Sequence, residues 1–237
     1  MLVTIHQPQF LPWLGYLAKI DQADLFVALD NVQFKKNEWQ NRNRVRTAQG
    51  QQWLTVPVLH RFGQRVNEVG INTTVNWKAR HLRALELHYA RARYREPYLS
   101  ELRDLYDAPW TNLSELNLAV LRWLMRSFHI TTPIRLASAY DLREEATDRL
   151  IDICLTVGAD RYLCGPGAEA YMDRPRFLAS GLRLEIQYFY HPFYVQCYDP
   201  FMPALSAIDL LFCHGSEAGT LLRQARQTQD ARAAIEA

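Results

Sequence analysis

Leu2-Val3-Thr4-Ile5-His6-Gln7-Pro8-Gln9-Phe10-Leu11-Pro12-Trp13-Leu14-Gly15-Tyr16-Leu17-Ala18-Lys19-Ile20 joins an apolar strand pattern to an apolar-periodic helix pattern through a polar, proline-bearing turn. Residues 2–5 read as a buried strand, a polar turn carrying two prolines follows, and 14–21 read as a helix. Residues 24–30, rich in apolar side chains, read as a second strand. Two strands joined by a helix form a right-handed βαβ unit, which belongs in a parallel sheet covered on both faces. Ligands of such sheets sit at the carboxyl ends of the strands, where a helix amino terminus offers free N–H groups to an anion. His6, Gln7 and Gln9 occupy that turn, and Asp30 ends the second strand on the same edge. His6 qualifies as a general acid or base because an unperturbed imidazole titrates near neutrality, and Asp30 as its carboxylate partner.

Working outward, residues 33–46 form the one concentrated basic segment, with Lys35, Lys36, Arg42, Arg44 and Arg46 among asparagines and Trp39. Arginine supplies a planar fork for phosphate and tryptophan a flat face for a base or sugar, so Lys35, Asn41, Arg42 and Arg44 are candidate ligand contacts. Lys36 and Arg46 read as solvated loop residues. Residues 53–58 and 69–74 read as extended segments that could pair. Three helical patterns follow at 77–93, 98–106 and 112–128, and 77–130 is expected to form a helical insert or subdomain within one domain spanning 1–237. Strand and helix then alternate again from 134 to 190, with Gly158 placed to end a helix. The expected fold is therefore α/β, a mainly parallel, doubly wound Rossmann-like sheet with a helical insert.

Two further clusters sit after strands of the second half. Cys164 and Gly165, with Gly167 and Tyr171, end one strand, where glycine lets backbone approach a ligand closely. His191, Tyr194 and Gln196 follow another and offer polar atoms on an aromatic background. His191 is a second candidate for catalysis. Asp209, inside an apolar run, reads as a cap or as half of a buried ion pair.

The chain has 237 residues, 49% of them hydrophobic, and this is enough to bury a sizeable core. Its 27 Lys and Arg against 25 Asp and Glu leave a net charge of +2, so any anion preference must be local. No signal peptide pattern and no run of about 18 apolar residues is present, and a cytoplasmic protein without a membrane contact is expected. The four cysteines lack C-x-x-C spacing and read as reduced core thiols, with no metal site.

The opening stretch, continued through Ala23-Asp24-Leu25-Phe26-Val27-Ala28-Leu29-Asp30-Asn31-Val32-Gln33-Phe34, resembles the start of the WbqC-like family of bacterial proteins. The resemblance recurs in Gly158-Ala159-Asp160-Arg161-Tyr162-Leu163-Cys164-Gly165-Pro166-Gly167, in His191-Pro192-Phe193-Tyr194-Val195-Gln196 and in Pro203-Ala204-Leu205-Ser206-Ala207-Ile208-Asp209-Leu210-Leu211-Phe212. Members are typically encoded among genes for O-antigen and other surface polysaccharides, and a glycine transferase role has been suggested for some. The resemblance thus implies acyl or aminoacyl transfer to an amino sugar, with a nucleotide or nucleotide-sugar as small-molecule partner. The residues 10–17 and 23–27 also resemble the opening of nucleotidyltransferase-like enzymes, and Val32-Gln33-Phe34 resembles the pantothenate synthetase branch. That second resemblance implies ATP as cofactor and adds Tyr16 and Gln33 to the nucleotide contacts. It departs from the pattern in carrying Trp13 and Tyr16 where histidines are expected. An acyl-CoA or aminoacyl-tRNA is the alternative donor, and a non-catalytic sugar-nucleotide or assembly-binding module the alternative function.

Overall fold

The computed structural model describes residues 1–167 and 172–225. Its centre is a five-stranded, all-parallel sheet made of β1 (Leu2–His6), β2 (Leu25–Ala28), β7 (Ile134–Leu136), β8 (Arg161–Cys164) and β9 (Arg183–Ile186), in the order β7-β2-β1-β8-β9. β1, buried from Leu2 to Ile5 with apolar Leu2, Val3 and Ile5, lies at the middle of the sheet, where a strand is covered on both faces. The chain builds outward from β1 to β2 and β7, then returns to the other side of β1 with β8 and β9. The direction of winding therefore reverses between β1 and β8, the place where open α/β sheets leave a crevice. Thr4 ties these two strands, its hydroxyl donating to the Leu163 carbonyl at 2.9 Å.

Helices cover both faces. α1 (Leu14–Gln22) packs with Phe26 and Ala28 of β2 in a core shared with α2 (Trp77–His88), α3 (Arg95–Asp107), α4 (Leu113–Ser127) and α7 (Ile208–His214). α4 contributes Leu116, Val120, Trp123 and Leu124, a stripe at helical spacing, and starts where the Asn112 side chain accepts from the Glu115 N–H at 3.1 Å. On the opposite face Val3, Ile5, Leu25 and Val27 meet α5 (Ala146–Val157) and α6 (Arg174–Ala179). Gly158 ends α5 in the left-handed region, φ 76°, which glycine adopts without a steric penalty.

Outside the main sheet, the carboxyl-terminal part of the basic segment is a strand. β3 (Arg42–Thr47) pairs antiparallel with β4 (Gly50–Thr55), setting Arg44 opposite Trp53. Trp53 therefore belongs to this hairpin, and what pairs with the segment after it is shorter than expected: β5 (Val58–Leu59) with β6 (Gly70–Ile71). Arg46 corrects a second expectation. It is 2% exposed instead of solvated, and its guanidinium donates to the carbonyls of Thr47, Gly50, Tyr198 and Pro200 at 2.7 to 3.2 Å. Among the described residues no helix is long and apolar enough to cross a membrane.

Candidate functional site

The turn between β1 and α1 is held in place by amides reaching in from elsewhere. Asn43, fully buried on β3, donates to the carbonyls of Phe10 and Leu11 at 3.3 and 2.7 Å. Asn117, fully buried on α4, donates to those of Pro8 and Gln40 at 3.3 and 2.7 Å, and the Phe10 N–H donates to the Trp39 carbonyl at 3.0 Å. The turn is thereby fastened to the segment 35–41, whose own shape depends on Gln40 and Asn41. Gln40 accepts from the Lys35 N–H at 3.1 Å, and Asn41 accepts from the Asn37 N–H and donates to the Val56 carbonyl. Asn41 has both ends of its side chain engaged by backbone, and its work is to shape this wall.

Between turn and segment lies a cleft of about 250 Å³ lined by His6, Gln7, Gln9, Lys35, Glu38, Trp39 and Gln40. Four of the residues singled out from sequence meet here, and Glu38 and Gln40 were missed. Gln9 is 6% exposed, and its Oε1 has no hydrogen-bond partner among the described residues. A buried carbonyl oxygen left bare is costly, by about 1 to 3 kcal/mol, and it is a ready acceptor for an N–H or O–H of a ligand. Next to the cleft, Trp39 and Trp53 pack with ring centres 5.6 Å apart. The Arg42 guanidinium lies 4.1 Å over the Trp53 ring, and that of Arg44 lies 5.3 Å from Trp39 and 5.5 Å from Trp53. Arg42 and Arg44 alternate along β3 with the buried Asn43 and Val45, so the two cations share one face and form with the tryptophans a cationic, aromatic shelf beside Lys35.

His6 Nδ1 lies 3.2 Å from the Gln7 carbonyl, which also accepts the Tyr16 hydroxyl at 3.1 Å. An imidazole that donates from Nδ1 keeps Nε2 bare as its acceptor. The Tyr16 ring packs edge-on against His6 at 5.1 Å. Burial above all, with the nearby Lys19 cation second, pushes the His6 pKa down to about 3. His6 therefore stays neutral across the physiological range instead of titrating within it.

Lys19 itself was not singled out from sequence. It is 4% exposed on α1, three residues after Tyr16 and so on the same helix face. Side chains on a helix lean toward its amino terminus, which here points at the crevice, so the Lys19 stem rises toward the carboxyl ends of β1 and β8. Burial lowers its pKa to about 8, with the Cys164 thiol acting in the opposite direction. Cys164, 1% exposed, closes β8 with its Sγ 3.4 Å from the Glu185 carbonyl, and the half-buried Gly165 follows at the crevice. Tyr171 lies outside the described residues.

The remaining candidates gather elsewhere. The Asp30 carboxylate accepts from the Ser138 N–H and hydroxyl at 2.9 and 2.7 Å, tying the end of β2 to the chain after β7. Gln33 is exposed and bridges Arg65. Tyr194 and Gln196 both donate to Asp209 at 2.8 Å in a buried network. His191 packs against Tyr194, Phe201 and Phe189, and Phe189 in turn meets Trp13 beside the turn. Its Nδ1 pairs with the Pro192 carbonyl at 2.9 Å, while its Nε2 has no partner among the described residues, and burial lowers its pKa.

Comparison with known proteins places this arrangement in a family. The chain is 37% identical over 229 residues to a Mycobacterium tuberculosis (strain ATCC 25618 / H37Rv) protein described as uncharacterized protein Rv1507c, a match covering 95% of this chain and 99% of that protein. No solved structure matches it. Residues 7–220, which include the turn, the shelf, Lys19 and the Asp209 network, match the WbqC-like protein family, and the chain belongs to that family.

Proposed function

We propose that the protein transfers an acyl group, with an aminoacyl group such as glycyl as the foremost case, to the amine of a nucleotide-linked amino sugar used in a surface polysaccharide. The observation that carries this reading is the make-up of the cleft and the shelf beside it. The cleft offers acceptors, the bare Gln9 Oε1 and the Glu38 carboxylate, suited to an amine. Lys35 in the same lining, with the Arg42 and Arg44 cations on the tryptophans next to it, is suited to a diphosphate with its base or sugar stacked alongside. In the reaction the amine nitrogen forms a bond to the acyl carbon, the bond from that carbon to its activating group breaks, and the ammonium proton passes to a base. His6, neutral with Nε2 unprotonated when Nδ1 donates to the Gln7 carbonyl, is suited to hold the amine in line. Lys19 beside it, with its pKa lowered to about 8, has a neutral fraction near neutral pH, and that neutral amine receives the proton. Fixing amine and carbonyl together contributes much of the acceleration by raising their effective concentration. If the donor is activated in place, ATP is consumed as an acyl-adenylate forms; a preactivated thioester or aminoacyl-tRNA donor needs none.

Titration calorimetry with nucleoside-diphosphate amino sugars tests the binding half. The amino sugar should bind at least about tenfold more tightly than the sugar with a hydroxyl in place of the amine, the scale of one good hydrogen bond. Lys35→Ala, at an exposed site, and Arg42→Lys, which keeps the charge but loses the planar fork, should each weaken binding by about 1.5 to 3 kcal/mol with the melting temperature nearly unchanged. Equal affinity for the two sugars would end the reading, and an equal loss of folding stability would make the two cations structural. Binding without turnover from any donor class would leave a recognition module.

A further inference from the structure

Away from the cleft, Cys197 and Cys213 stand side by side with their sulfurs 3.9 Å apart. Cys197 lies in the irregular segment between β9 and α7, and Cys213 in the last turn of α7. Both are half-buried, whereas Cys154 and Cys164 are shut inside the protein. This corrects the expectation of four core thiols. A disulfide requires the sulfurs to close from this separation to about 2.0 Å.

Their surroundings differ in a useful way. The hydrogen bond with Cys213 lowers the Cys197 pKa, aided by the Arg46 and Arg91 cations and opposed by burial and the Asp209 carboxylate, with a net fall. The same hydrogen bond, burial and Asp209 hold the Cys213 thiol protonated. The two thiols are pushed in opposite directions, so Cys197 is the more readily ionised of the pair, the arrangement that suits an attacking thiol beside a resolving one.

We infer that Cys197 and Cys213 form a peroxide-reactive dithiol that closes to an intramolecular disulfide. The Cys197 thiolate attacks a peroxide oxygen: the S–O bond forms, the O–O bond breaks, and hydroxide leaves as water after taking up a proton. Cys213 then attacks the sulfenic sulfur: the S–S bond forms, the S–O bond breaks, and a second water departs carrying the Cys213 proton. Two electrons pass from the dithiol to the peroxide.

The position gives this bond a structural meaning. Tyr194 and Gln196, just before Cys197, donate to Asp209 of α7, and the carbonyls of Tyr198 and Pro200, just after it, accept from Arg46 of β3. A bridge to Cys213 would add a covalent tie from this segment to α7, behind the strand that carries Arg42 and Arg44.

The test treats the folded, full-length protein with hydrogen peroxide, then blocks and counts thiols after denaturation without reductant. The four cysteine thiols should fall to two, with an intact-mass loss of about 2 Da and a monomeric species whose proteolytic map joins the Cys197 and Cys213 peptides. In Cys213→Ser, Cys197 should stop at the sulfenic acid and be trapped by dimedone, and Cys197→Ser should keep its three remaining thiols. Persistence of all four thiols in the wild type would overturn the inference. So would a mass gain from sulfinic acid, a dimer linked between chains, or a bridge using Cys154 or Cys164. The wild-type map decides the matter even if a variant fails to fold.

Discussion

Asp209→Ala is expected to lower the free energy of unfolding by about 3 kcal/mol at neutral pH, measured by urea denaturation. Asp209 is fully buried at the start of α7, and its carboxylate accepts from the Tyr89 hydroxyl at 2.7 Å and from Tyr194 and Gln196 at 2.8 Å each. Tyr89 in turn accepts the Arg46 N–H at 3.0 Å, and Gln196 also exchanges hydrogen bonds with the Met202 backbone. Truncation leaves two tyrosine hydroxyls and an amide N–H without their acceptor in a dry place, and each bare donor costs about 1 kcal/mol or more. The pH dependence has a definite sign. Burial raises the Asp209 pKa, against the lowering effect of its three donors. A carboxyl whose folded pKa lies above its unfolded value stabilises most in acid and loses that contribution as pH rises through the folded value. The gap between wild type and Asp209→Ala should therefore widen on acidification, and a gap that narrows instead would show the carboxylate to be held as a stabilised anion.

The same network marks where sequence reading stops. The central sheet and its turn were legible because each depends on neighbours in sequence: an apolar run for β1, prolines and amides for the turn, helical spacing for α1. Arg42 and Arg44 were legible as ligand candidates, and the strand beneath them had a signal in the alternation of Arg42, Asn43, Arg44 and Val45. Nothing local distinguishes Arg46 from Arg44. What buries it is a segment about 150 residues later, whose Tyr198 and Pro200 carbonyls replace water. Asp209 likewise meets Tyr89 only through tertiary packing, and Tyr194 and Gln196, which look like site residues by type, are turned toward it. Composition identified the polar groups, and the long-range packing determined which of them remain available to a ligand.

Lys19 is the instructive omission. Residues 14 to 20 are all buried, so α1 has little solvent face against which a lysine could be judged misplaced. The available clue was its spacing of three from Tyr16, which places an ammonium on the side of the helix that faces the site. Its burial supports the second large expectation. Lys19→Met should stabilise the protein by about 3 kcal/mol at pH 7, since a pKa lowered from 10.5 to about 8 means the folded state disfavours the charged amine at about 1.4 kcal/mol per pH unit. Well below pH 8 the lysine is charged both folded and unfolded and the full penalty is present, and at pH 7, where a minority of the folded amine is neutral, nearly all of the penalty remains. As pH rises from 8 to 10.5 the folded protein sheds the proton first and wild type gains stability, so the advantage of the methionine variant should shrink and vanish above that window. Turnover, on the reading that Lys19 takes the ammonium proton, should fall about a hundredfold in the same variant. A gain in stability joined to a loss of activity is the signature of a group kept for chemistry at the expense of the fold. Denaturant titrations of both proteins at pH 7 and pH 10.5 check the first half without a substrate. If Lys19→Met is no more stable than wild type at pH 7, the amine is not desolvated, and its claim to the proton falls with that result.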